Sequence, residues 1–186
     1  MPSQQINFKD IIFDPDVQKY CISENFRCPN YNHSWACPPE APYMKDEISK
    51  YFKFFLIYTK FDLASYVKKQ KHKYPYKNEQ TIRNRLYLKN ILRDELEKEI
   101  AIFLDKYDKK FEEKLILWDG HCRLCEKKDY PRCTYDDGEP CRFPDQIRYS
   151  MEAVGIHVTK TVKNLDLDIE WPPVNNLYRF GLICFK

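Results

Sequence analysis

The sequence predicts an α/β or α+β fold: a single-domain sandwich of a small sheet with flanking helices and two cysteine-rich loops. Three observations carry this reading. Runs rich in aromatic and β-branched residues mark strands at 51–61, 114–118 and 178–185. Between the first two runs, apolar residues recur mostly at three- or four-residue steps, the mark of a helix with one buried stripe. Seven of the 8 cysteines fall in two groups on either side of this cysteine-poor core, which places them in loops.

Taken in order, one domain of 186 residues divides into a cysteine-rich loop at 21–39, a core at 45–118, a second cysteine-rich loop at 119–144, and a C-terminal helical segment and strand at 145–186. After the strand at 51–61, Asp62 opens a turn or short helix that Pro75 breaks, and Asn78 is a plausible N-cap. From Glu79 to about Phe111 the chain reads as helical. Ile82, Leu86, Leu92, Leu96, Ile100, Phe103 and Tyr107 form its apolar stripe. Arg93 with Glu97, and Asp94 with Lys98, are opposite charges four apart on its outer faces. Residues 114–118 read as a buried strand, ended by Asp119 and Gly120. After Pro144, residues 145–154 read as helical with Gly155 as the C-terminal stop. A short helix follows around 158–165, then a loop at Trp171, Pro172 and Pro173, then the last strand.

Composition removes several classes of function. The four glycines include no Walker or dinucleotide fingerprint. Neither Gly-x-Ser-x-Gly nor His-Glu-x-x-His occurs, so hydrolase chemistry of those types has no support. A formal net charge of +3 implies no obligate polyanionic partner. The one basic run, Lys68, Lys69, Lys71, His72 and Lys73, reads as a solvated helix end or a loop before Pro75, which makes nucleic acid an unlikely partner. No apolar run approaches the ~20 residues of a membrane helix, and the N-terminus lacks the pattern of a signal peptide. The expected location is therefore a reducing cytoplasm, where clustered cysteines favour metal over disulfides.

The second cysteine group is Cys122, Cys125, Cys133 and Cys141. Four thiolates within twenty residues match the ligand count of a [4Fe–4S] cluster or a Cys₄ zinc site. A Cys-x₂-Cys pair lets one turn aim two sulfurs at one centre. The wider gaps before Cys133 and Cys141 suit a cubane, because a structural zinc usually takes two tight knuckles and only one is present. The loop carries Glu126, Lys127, Lys128, Asp129, Asp136, Asp137 and Glu139, and so is too polar to bury four thiols as ordinary core. His121 reads as a polar residue after a turn.

The first group is Cys21, Cys28 and Cys37, two of them followed by proline. Tyr31 and Trp35 would keep water from a centre held there. Three thiols are one short of a closed site. The fourth ligand would be Cys184, His33 or a group from outside the protein, and that last case leaves a metal open to chemistry. Alternatively the group is a structural loop packed near the first cluster. Cys184, in an apolar run, reads as a core thiol.

Together these segments resemble the DUF2284 family of predicted metal-binding proteins. The resemblance rests on Cys28-Pro29-Asn30-Tyr31 with Trp35-Ala36-Cys37-Pro38-Pro39, on Cys122, Cys125, Cys133 and Pro140-Cys141-Arg142-Phe143-Pro144, and on the run from Arg148 to Val158. Nearly the whole chain is covered. Three departures stand out: Lys128-Asp129-Tyr130-Pro131-Arg132 appears as an insertion before Cys133, Tyr149 replaces a common proline, and His157 replaces a common aspartate. The resemblance implies metal binding and no particular reaction.

Arg142 and Arg148 flank the second loop, where positive charge would stabilise an anionic thiolate cluster; the plainer reading has them on the surface or paired with Glu152. The leading functional expectation is a redox protein that holds one [4Fe–4S] cluster, with a second possible, and passes electrons to a partner protein. An enzyme with an open-site cluster acting in sulfur removal or transfer is the alternative. A zinc-stabilised interaction module is the third reading.

Overall fold

Ten-residue strands at the centre of one sheet set the architecture. In the computed structural model the described residues are 2–24, 26–87 and 89–186, with Phe26 and Tyr87 described by their backbone alone. The strands are β1 (Ser3–Ile6), β2 (Ile22–Ser23), β3 (Phe26–Arg27), β4 (Lys53–Asp62), β5 (Lys114–Leu117) and β6 (Asn176–Phe185). The α-helices are α1 (Lys45–Ile48), α2 (Leu63–Lys73), α3 (Glu79–Tyr87), α4 (Ile91–Lys106), α5 (Leu124–Lys127) and α6 (Val158–Asn164). Four strands form one antiparallel sheet in the order β1-β4-β6-β5, and β2 pairs with β3 as a separate small hairpin. A mixed α/β fold is therefore what the chain adopts, and each strand inferred from aromatic and β-branched runs is present.

The alternation of side chains along β4 and β6 builds two apolar layers. On one face Phe54 and Leu56 of β4 join Phe180, Leu182 and Cys184 of β6. Ile48, Met151, Val154, Ile156 and Val162 cover them. On the other face Ile57, Ile183 and Phe185 meet Leu96, Ile100 and Phe103 of α4. That contact depends on Gly181 in mid-strand, where an added Cβ would lie 3.0 Å from both Ile100 Cδ1 and the Leu117 carbonyl oxygen. Glycine costs strand propensity there, and close approach of the helix is the return.

The single helix inferred for 79–111 is instead two, and the apolar stripe explains why. Ile82, Leu86 and Leu92 pack against Leu63 and Val67 of α2 and against Leu177, while Leu96, Ile100 and Phe103 pack on the sheet. One straight helix cannot face both surfaces. The six-residue step from Leu86 to Leu92 is the sequence mark of the change. Asn78 does cap α3, accepting from the Thr81 amide at 2.7 Å. The chain leaves α4 at Lys106, yet Tyr107 still stacks on Phe185 at 4.2 Å.

The helix inferred for 145–154 is also absent. Two 3-10 turns, Pro144–Gln146 and Glu152–Val154, flank a stretch that runs beside the end of β5. There the Trp118 amide donates to the Tyr149 carbonyl at 2.8 Å, and Trp118 and Ser150 form a parallel bridge. Pairing with Trp118 therefore competes successfully with the local helix. The stop at Gly155 holds: its φ is +89°, and a Cβ there would meet the Tyr43 ring at 2.3 Å. Short β1 and the β2–β3 hairpin carry too few residues to register as periodic runs.

Candidate metal centre

The geometry of the second loop begins with the two residues between its paired cysteines. Arg123 is only 5% exposed, and Leu124 is buried too. Arg123 reaches back to α4, where it pairs with Asp94 at 2.8 Å and with Glu97. Lys127 also pairs with Glu97, and Arg148 joins it at 2.9 Å. Burial alone would raise the Glu97 carboxyl, but Lys127, Arg123 and Arg148 outweigh it and hold the group below its ordinary value. These contacts correct the expectation of helix-surface pairs: Glu97 and Asp94 turn to the cysteine loop, and Arg93 lies 3.4 Å from Asp119. With Arg123 anchored inward, Cys122, Leu124 and Cys125 border a cavity.

That cavity, about 340 Å³, is lined by all four cysteines of the group. His121, His33 and Trp35 also border it. The loop closes through Thr134, whose hydroxyl donates to the Pro140 carbonyl at 2.9 Å, and through Tyr130, whose amide donates to the Cys125 carbonyl. Arg142 Nη1 lies 3.8 Å from Cys125 Sγ and 2.8 Å from the Arg132 carbonyl. Its charge therefore faces the thiols. Arg148 does not: besides Glu97 it lies over the Trp118 ring at 4.3 Å, and it makes no pair with Glu152. Burial pushes the Cys141 thiol up and holds the His121 imidazole down, the latter with help from Arg93.

The first loop brings its cysteines together by a different device. The six residues between Cys21 and Cys28 include the β2–β3 hairpin, with Ile22 opposite Arg27. Cys21 and Cys28 are thus the next pair along the ladder, joined by the Cys28 amide and the Cys21 carbonyl at 2.8 Å. Burial first, then the neighbouring Cys28, pushes the Cys21 thiol up to about 11. Cys37 is buried beside Ser34 and is pushed up to about 12, again by burial first and then by Cys28. Cys37 also feels Cys122 of the second loop.

Side chains stitch the two loops into one surface. His33 Nδ1 lies 2.8 Å from Asp136, the Trp35 indole donates to the Glu139 carbonyl at 3.1 Å, and the Tyr135 hydroxyl donates to Asn32 at 2.8 Å. The Trp35 and Tyr135 rings meet edge to face at 5.0 Å. Cys184 is elsewhere, fully buried in the sheet core where burial raises its thiol. Among the described residues no group of three or more His, Cys, Asp or Glu is set to hold a metal ion. The four thiols of the second group ring their cavity without closing on a point. By donor type they suit a sulfur-ligated centre.

A family described as predicted metal-binding protein, DUF2284, matches residues 4–185. The chain belongs to the DUF2284 family. No curated protein and no solved structure matches it. Within this DUF2284 member the two cysteine loops are tied to each other, and the second is tied to α4. Residues Lys128–Arg132 lie within the second loop, where Arg132 pairs with Asp137 and Tyr130 packs under Arg142 at 4.7 Å. Among the described residues no helix is long and apolar enough to cross a membrane. The residues that the sequence reading missed are Arg123 and its acidic partners. Their one signal was a charged side chain inside a tight Cys-x₂-Cys turn.

Proposed function

We propose that Cys122, Cys125, Cys133 and Cys141 hold a [4Fe–4S] cluster and that the protein passes electrons to a partner protein in a reducing, cytoplasmic setting. The observation that carries this reading is the cavity of about 340 Å³ that all four thiols line. A single zinc asks for four donors at one tetrahedral point, whereas a cubane takes its thiolates at separated corners. When bound, such a cluster supplies one-electron chemistry. The chain's own part is to hold the sulfurs, exclude water and set the local charge. Arg123 fixes the turn, Trp35 shields the cavity, and Arg142 sets a positive charge 3.8 Å from Cys125 Sγ.

A second reading concerns Cys21, Cys28 and Cys37. The hairpin ladder and the mutual influence of the three thiols favour a three-cysteine site with an open position, and so an enzyme. Cys184 is buried in the sheet core, and His33 is engaged with Asp136, so neither supports a closed site there.

The test is metal and acid-labile sulfide analysis after purification without oxygen. About four irons and four sulfides per chain support one cluster, and about eight of each add the first group. Loss of the iron in the Cys122→Ser, Cys125→Ser double variant assigns the cluster to the second loop. Stoichiometric zinc without sulfide would replace both readings with a zinc-stabilised interaction module.

A further inference from the structure

A second cavity, about 680 Å³, opens on the far side of the first cysteine group, with Cys21 and Cys28 at its edge. Its size is that of a small-molecule site. One wall is aromatic. Tyr178 and Phe180 present nearly parallel rings, 8° apart in plane with centroids 5.9 Å apart. Tyr20 and Trp171 complete it, and Trp171 is 66% exposed. Phe180 is itself buried in the sheet core, so the ring area that reaches the cavity is chiefly that of Tyr20, Trp171 and half-buried Tyr178.

The opposite side is acidic and unequally partnered. Asp119 is matched by Arg179 at 3.1 Å and Arg93 at 3.4 Å. Glu152 lies beside it and faces the cavity, and among the described residues no cation stands within ion-pair distance of it. Glu152 is exposed on this wall, near enough to Asp119 for the two like charges to repel. His157, also on the wall, is held below its ordinary value by burial and by Lys160, so it brings no positive charge at neutral pH.

We propose that this cavity binds a small aromatic amine, its ring against Trp171 and Tyr178 and its ammonium against Glu152. The rings supply flat apolar area and cation–π attraction, and Glu152 supplies the counter-charge that the protein itself does not match. The site stands whether or not the cysteines hold metal. Where they do, the ligand lies next to the first cysteine group.

The experiment is isothermal titration calorimetry on the full chain purified without oxygen, using 2-naphthylmethylamine, 2-naphthylmethanol and 2-naphthoate. The amine binds at one site, the alcohol about tenfold more weakly, and the naphthoate not at all. In Glu152→Gln the amine falls to the affinity of the alcohol. In Trp171→Ala, a change at an exposed position, amine and alcohol weaken together. Binding of the naphthoate as tightly as the amine overturns the proposal. So does amine binding that Glu152→Gln leaves unchanged, or no binding of any probe. Iron, zinc and sulfide measured on the same samples keep the two readings apart, because a failed cavity leaves the metal content as it was.

Discussion

Glu97 shows how one side chain ties a site to a fold. It accepts from Arg123, Lys127 and Arg148, three cations that approach from different parts of the second loop and its exit. Arg123 is buried, so removing the Glu97 charge leaves it with Asp94 alone to balance a cation that water hardly reaches. Glu97→Gln lowers stability by about 2–3 kcal/mol at neutral pH, read as a shift in the urea midpoint. The pH dependence has a definite sign. The folded-state carboxyl lies below its ordinary 4.5, so its contribution is complete above that value and is lost as pH falls through the lower, folded one. The wild-type midpoint therefore drops in mild acid more steeply than that of the variant. Cys184 behaves in the opposite manner to the loop thiols, because it contacts core alone. Cys184→Ala costs about 1 kcal/mol and leaves iron, zinc and sulfide content unchanged. A loss of metal in that variant would make Cys184 a ligand after all.

At the scale of elements, α4 is where sheet and site meet: one face lies on β4 and β6, and its first turns carry Asp94 and Glu97 to the cysteine loop. Its closeness to the sheet depends on Gly181. Gly181→Val places branched carbons where Ile100 and the Leu117 carbonyl already stand, and costs about 1–3 kcal/mol by overpacking. Because α4 would shift with its acidic residues, metal retention falls together with the urea midpoint. The sequence made this architecture legible where pattern dominates. Phe54 to Ile57 and Leu182 to Phe185 declare central strands, and the close spacing of Cys122, Cys125, Cys133 and Cys141 declares one loop, whose four thiols line one cavity. It was not legible where tertiary contacts override local preference. Residues 147–150 have the composition of a helix but pair with Trp118, and the stripe from Ile82 to Phe103 serves two surfaces. The partners of Arg123 could not be read at all, since Asp94 and Glu97 lie 29 and 26 residues away along the chain.

On the scale of the whole molecule, the chain divides its stability unevenly. Both faces of the sheet are closed by apolar side chains that owe nothing to the cysteines of the two loops. The loops at 21–39 and 119–144 are different: they join through His33, Trp35 and Tyr135 in surface contacts, and all their thiols but that of buried Cys37 line cavities. If the thiols hold a centre, its binding energy orders these loops and adds little to the sheet. Stripping the metal with a chelator under reducing conditions should then raise amide hydrogen exchange in the two loops together, because the contacts between them couple their opening. The amides of β4 and β6 that pair with each other should stay protected. Joint loss in both loops with a protected sheet marks one metal-ordered face on a self-sufficient scaffold. Exchange that spreads through β4 and β6 would make the metal a requirement of the fold, and unchanged loops would mean that the side-chain stitching alone holds them.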